Sequence, residues 1–142
     1  MRIAKLLEAK GSDVATIAPA AAVAEAVAAL ARHGIGALVV STDGRHIDGI
    51  VSERDIVRGL ERRPDLLAEP VSAIMSSTVF TCSPEDETDG LMSMMTDRRI
   101  RHVPVEKDGR LAGIVSIGDI VKTKIGELEQ DRKHLVDYIN AR

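Results

Sequence analysis

Apolar residues recur near a 3.6-residue period at Val23, Val27, Leu30 and Ala31, and again at Leu91, Met94 and Met95, which predicts two amphipathic helices. After each helix the pattern changes. Ala37-Leu38-Val39-Val40 and His102-Val103-Pro104-Val105 read as strands that turn at Asp43-Gly44 and Asp108-Gly109 into Ile47 to Val51 and Leu111 to Val115. A helical period then returns at Ile56, Val57 and Leu60, and at Ile120, Val121 and Ile125, with Ser52 and Ser116 standing at the change as N-caps. Pro84 with Glu85, Asp86 and Glu87 predicts a first helical turn with acids at its positive end. The unit is strand, helix, strand, strand, helix, and it occurs twice.

The two units are copies. Gly49-Ile50-Val51-Ser52-Glu53-Arg54-Asp55-Ile56-Val57 recurs as Gly113-Ile114-Val115-Ser116-Ile117-Gly118-Asp119-Ile120-Val121, matching at seven of nine positions with an offset of 64. Val14, Thr16 and Pro19 reappear as Val79, Thr81 and Pro84 with an offset of 65, so the first copy carries one extra residue in its Ser41 to Asp48 turn. The expected organisation is a first repeat over 1–63, a linker over 64–71 around Arg62-Arg63-Pro64-Asp65 and Glu69-Pro70, a second repeat over 72–124, and a C-terminal helix over 125–142. The fold class expected is α/β (α+β), with the two sheets back to back.

Composition narrows the function classes. The chain has 142 residues, enough for a sizeable core. The Ala-rich stretch Ile17 to Ala31 is interrupted by Pro19 and Glu25, so no membrane span or signal peptide is expected. A net charge of -3 and 1% aromatics argue against nucleic acid as the main partner. One cysteine, Cys82, makes no internal disulfide and fits a reducing, cytoplasmic setting. The scattered His33, His46, His102 and His134 have no metal-ligand spacing, and no P-loop, G-x-G-x-x-G or G-x-S-x-G motif occurs. No general base and nucleophile pair can be named, so no catalytic residue, no metal and no enzyme activity are expected.

The doubled Gly-Ile-Val-Ser-x-x-Asp-Ile-Val, supported by Ile100-Arg101-His102-Val103-Pro104-Val105, resembles the tandem CBS domain pair, or Bateman module, over roughly Met1 to Lys124. The stretch from Glu127 to Ile139 adds a likeness to small stand-alone bacterial CBS proteins with a C-terminal helix. That resemblance implies a regulatory ligand sensor. It implies that Asp55 and Asp119 take ribose hydroxyls, that Ser52 and Ser116 assist, and that adenine lies against the first strand of each repeat. One cleft would then gather Thr16, Ile17, Ser52, Arg54 and Asp55, and the other Thr81, Cys82, Arg101, His102, Ser116 and Asp119. The implied ligand is an adenine nucleotide (AMP, ADP or ATP), or NAD or S-adenosylmethionine.

Spacing alone leaves these groups open to plainer roles. Ser52-x-x-Asp55 and Ser116-x-x-Asp119 are also capping-box signatures, and both roles are compatible with one geometry. Arg101-His102, where the first copy has Gly36-Ala37, reads as a basic pair for a phosphate, or Arg98, Arg99 and Arg101 read as a solvated charged face with His102 an ordinary strand residue; Arg54 and Arg58 stand one turn apart on the helix after Ser52. Ile125, Leu128, Arg132, Leu135 and Ile139 are spaced 3, 4, 3 and 4, which reads as a short coiled-coil seam or as a helix folded onto its own domain. The resemblance implies a disc-like homodimer, clamped by that helix or reaching a client protein. The competing function is a constitutive dimeric scaffold in which serine and aspartate only cap helices.

Overall fold

The computed structural model describes residues 1–141. Helix α1 (Ile3–Lys10) opens the chain, an element the sequence reading did not single out although Ile3, Leu6 and Leu7 carry the three- and four-residue spacing of a buried stripe. The first repeat follows as β1 (Thr16–Ile17), α2 (Val23–His33), β2 (Ala37–Val40), β3 (Gly49–Ser52) and α3 (Glu53–Arg62). Short 3-10 turns at Leu66–Ala68 and Val71–Ala73 lead into α4 (Thr88–Arg98), β4 (His102–Lys107), β5 (Arg110–Ser116) and α5 (Ile117–Asn140). The fold is mixed α/β with the two expected hairpins, β2 antiparallel to β3 and β4 antiparallel to β5.

The sheets differ for a local reason. In the first repeat β1 pairs in parallel with β2 through Thr16 and Ile17, giving three strands. In the second, only Cys82 bridges Val105, and the named sheet has two strands. Pro104 stands where Val39 stands in the first copy and has no N–H to give a neighbouring strand, so the parallel pairing contracts. The tight turn at Asp108-Gly109 has both residues at positive φ (52° and 75°), as a two-residue hairpin of the I′ type requires.

Each repeat is completed by the segment that precedes the other. Ile3, Leu6 and Leu7 of α1 share one core with Cys82, Leu91, Met95, Val103, Val115 and Ile120 of the second repeat. Helix α1 lacks a side-chain cap, and its Ile3 and Ala4 N–H groups donate instead to the carbonyls of Asp86 and Pro84 (2.9 and 2.8 Å). Leu66 and Val71 from the linker enter the other core with Val23, Leu38, Val40, Val51 and Ile56. The bridges Arg2 with Glu87 and Ala22 with Pro70 repeat this exchange at equivalent places. The expected separation of repeat from linker therefore does not describe how the cores are filled.

Three boundaries or faces depart from expectation. Helix α4 starts at Thr88 rather than beside Pro84, because residues 83–86 close a turn in which Asp86 accepts the Ser83 N–H (2.8 Å) and Ser83 accepts the Asp86 N–H (3.0 Å). On α2 the buried stripe is Val23, Ala26 and Leu30, while Val27 and Ala31 face outward. No break occurs at 124/125, since α5 is one helix of 24 residues, roughly 36 Å at 1.5 Å per residue. It does not fold back: Ile125, Leu128, Leu135 and Ile139 are each more than half exposed.

Candidate ligand clefts between the repeats

Strand β3 ends at Ser52 and α3 begins at once, held by a complete capping box. Ser52 Oγ accepts from the Asp55 N–H (3.2 Å), while Asp55 Oδ2 accepts from the Ser52 N–H (2.8 Å) and hydroxyl (3.0 Å). Both hydrogen bonds to that carboxylate fall on one oxygen, and the group keeps acceptor capacity toward the cleft it lines. Ser116 and Asp119 make the matching box at the start of α5.

The first cleft has a volume of about 300 Å³. One wall is Ser52, Asp55, Arg54 and Arg58 of the first repeat. Facing them are Thr78, Val79 and Phe80 from the approach to the second repeat, with Arg99, Arg101 and His102 beyond. Four arginines thus line a cleft whose acidic residues are Glu53 and Asp55. Phe80, the one phenylalanine of the chain, is held from behind by Arg98, whose guanidinium lies 4.0 Å from the ring centroid.

The second cleft, about 230 Å³, is lined by Lys10, Val14, Ala15, Ile114, Ser116 and His102, among others. Lys10 Nζ bonds the Asp119 carboxylate and also donates to the Ile114 carbonyl (2.6 Å), and Asp119 itself is not among the residues lining this cleft. Burial pushes the Asp119 carboxyl up, but the Lys10 ammonium and the Ser116 bonds outweigh it and leave it below the usual range.

The residues lining each cleft differ from the grouping that the resemblance implies. Ser52, Arg54 and Asp55 do share a cleft, but Thr16 and Ile17 line neither one; both pair with Val39 and Val40, away from the Ser52 end of β3. Arg101 belongs to the first cleft rather than the second, and His102 lines both. Thr81 and Cys82 lie in a separate shallow depression with Asp86 and Glu106. The crossing of the segments preceding each repeat is the cause: 78–80 reach the Ser52 end, and Val14 and Ala15 reach the Ser116 end. Sequence reasoning missed Lys10, Phe80 and Arg99 as cleft residues. Arg99 had one readable signal, since at an offset of 65 it replaces Gly34 just after the helix.

Two groups have environments that define their chemistry. Burial pushes the Cys82 thiol up to about 12, so it is a buried neutral side chain and not a nucleophile at neutral pH. His102 is held below its ordinary value by burial first, with Lys10 and Arg101 acting in the same sense and Glu53 and Asp119 opposing. It is a neutral imidazole at pH 7. Among the described residues no three His, Cys, Asp or Glu side chains converge as a metal site.

The pattern of the CBS domain matches residues 10–62 and 71–126, which together cover most of the chain. The chain belongs to the CBS-domain family. As a tandem CBS pair it is 37% identical over 122 residues to the mitochondrial CBS domain-containing protein CBSX3 of Arabidopsis thaliana, an alignment spanning 82% of this chain and 59% of the plant protein. It superimposes on the CBS-domain containing protein ATU1752 from Agrobacterium tumefaciens with a TM-score of 0.84 and 44% identity, covering 87% of this chain and 99% of that one. The CBS domain protein PAE2072 from Pyrobaculum aerophilum, solved in complex with AMP, matches with a TM-score of 0.74 and 30% identity over 84% of this chain and 89% of that one. No helix among the described residues of this CBS pair is long and apolar enough to cross a membrane.

Proposed function

We propose that this CBS pair is a regulatory sensor that binds a phosphorylated adenosine ligand in its first cleft and passes the bound state to a protein partner. The observation that carries the reading is the meeting, in one cleft of about 300 Å³, of the Asp55 carboxylate with Arg54, Arg58, Arg99 and Arg101. A carboxylate beside a helix N-terminus suits the two hydroxyls of a ribose, and guanidinium forks suit phosphate oxygens. The apolar side chains of Ile50, Val79 and Phe80 offer a base a place to stack. The volume lies at the lower end of the range for small-molecule sites, enough for one nucleotide. The AMP complex of the Pyrobaculum protein supports the same ligand class here.

Arg99 adds weight. It is a non-glycine residue at φ 54°, a left-handed conformation costing about 1 kcal/mol, where Gly34 serves in the first repeat. A strained arginine on a cleft wall is consistent with a binding role. The surplus of positive charge favours ADP or ATP over AMP, and phosphorylated ligands over S-adenosylmethionine. Transmission and pairing belong to the same reading: the exposed seam of α5 from Ile125 to Ile139 offers a second copy or a client a place to pack.

Calorimetric titration of the nucleotide-stripped protein with AMP, ADP, ATP, NAD and S-adenosylmethionine tests the proposal. Binding that follows phosphate number and is abolished by Asp55→Ala is expected. A folded protein that is silent across the panel at millimolar ligand would sink the reading in favour of a constitutive scaffold.

A further inference from the structure

The two clefts are built by the same capping box, yet only one presents its aspartate. In the first, the Ile50 carbonyl accepts the backbone N–H of Ser76 (2.9 Å), an antiparallel bridge, and Asp55 makes no ion pair among the described residues. In the second, the equivalent carbonyl of Ile114 accepts Lys10 Nζ (2.6 Å), and the same ammonium bonds Asp119. The lysine thus satisfies a carbonyl that has no strand partner and covers the carboxylate in one move. It is placed to do so as the last residue of α1, whose Ile3, Leu6 and Leu7 are anchored in the second repeat's core, with Gly11 ending the helix directly after it.

We propose that Lys10 is a specificity-determining latch: by holding Asp119 it denies the second cleft the carboxylate a nucleoside diol would need, so the two clefts fill unequally. The inference rests on the reading of Asp55 as the diol acceptor of the first cleft. The Lys10 and Asp119 side chains are only about a third and a quarter exposed (32% and 25%), so water screens the contact less than it would a surface pair. A diol arriving at Asp119 must displace a charge-assisted bond, whereas at Asp55 it meets an open acceptor.

The test isolates the second cleft. With Asp55→Ala disabling the first, titration with AMP and with adenosine is expected to show no binding while Lys10 is present. Adding Lys10→Met, which keeps the apolar stem and removes the ammonium, is expected to restore binding with an affinity at least about tenfold above the weakest the titration detects, a margin of about 1.4 kcal/mol. The restored binding should disappear again on Asp119→Ala. A gain of binding cannot arise from misfolding, and Lys10→Gln provides a second route to the same opening.

Three results would overturn the latch. The Asp55→Ala protein binding AMP with Lys10 intact would show Asp119 already available. Wild-type binding with a silent Asp55→Ala, Lys10→Met protein would show that removing the lysine opens nothing. Weaker binding of AMP on Lys10→Met alone would make the lysine a ligand contact. All three leave nucleotide sensing standing, whereas silence of the wild type and every variant removes the sensor reading and the latch together.

Discussion

Arg99 and Gly34 occupy the same left-handed position at the ends of α4 and α2, with φ of 54° and 62°. Each donates its N–H back to the last helical turn, but Gly34 has no side chain, whereas Arg99 is an arginine among the residues lining the first cleft. Arg99→Gly is expected to stabilise the fold by about 1 kcal/mol by relieving the positive φ. The same change should weaken binding of phosphorylated ligands. Urea denaturation beside calorimetry reads both; unchanged ligand affinity would leave Arg99 a structural oddity only.

The capping boxes should show in stability independently of any ligand. Ser52→Ala and Ser116→Ala each remove the oxygen that accepts a first-turn N–H (3.2 Å in both). A loss of about 1 kcal/mol is expected for each, measured by chemical denaturation of the ligand-free protein. No loss at Ser52 would show that its hydroxyl is not needed as a cap.

His102 sets a pH dependence of definite sign. Burial is the chief reason its folded pKa lies below the ordinary 6.5; Lys10 and Arg101 also lower it, and Glu53 and Asp119 raise it. The unfolded chain therefore takes up the proton first as pH falls. Stability is fully present above the unfolded pKa and declines as pH drops from there toward the folded one. Comparing urea midpoints between about pH 7.5 and 5.5 should show this decline in the wild type and a smaller one in His102→Gln. An identical slope in both would assign the effect to other groups.

Cys82 should be chemically silent in the native state. Its thiol is buried (7% exposed) and held near 12, so at pH 8 it is neutral and out of reach. Labelling by a disulfide reagent is expected to be slow in buffer and fast in denaturant. Prompt labelling of the folded protein would mean that the 81–83 segment opens readily.

Hairpins, helix starts and the duplication were legible in the sequence because each is written in local pattern. Gly-Ile-Val-Ser-x-x-Asp states a strand end, a cap and its acid within seven residues, and Asp108-Gly109 states a turn. Family membership followed from the same words appearing twice. The start of α4 and the buried face of α2 were not legible. Glu85 to Glu87 look like a first helical turn until Ala4 and Ile3 donate to the Pro84 and Asp86 carbonyls and Thr88 donates to Met1, and Val27 is as apolar as the buried Val23.

Which residues meet in each cleft was decided by tertiary structure alone. The family resemblance, carried over repeat by repeat, implied Ser52 with Thr16 and Ser116 with Thr81, because a motif names residues within one repeat and does not show which segment crosses to meet them. The fold instead carries 78–80 to the Ser52 end, and brings Lys10 to an aspartate 109 residues away. The physical reason is that neither repeat fills its own core. Ile3, Leu6 and Leu7 complete the second and Leu66 and Val71 the first, so burial of apolar side chains pulls each leading segment across and carries the polar groups attached to it.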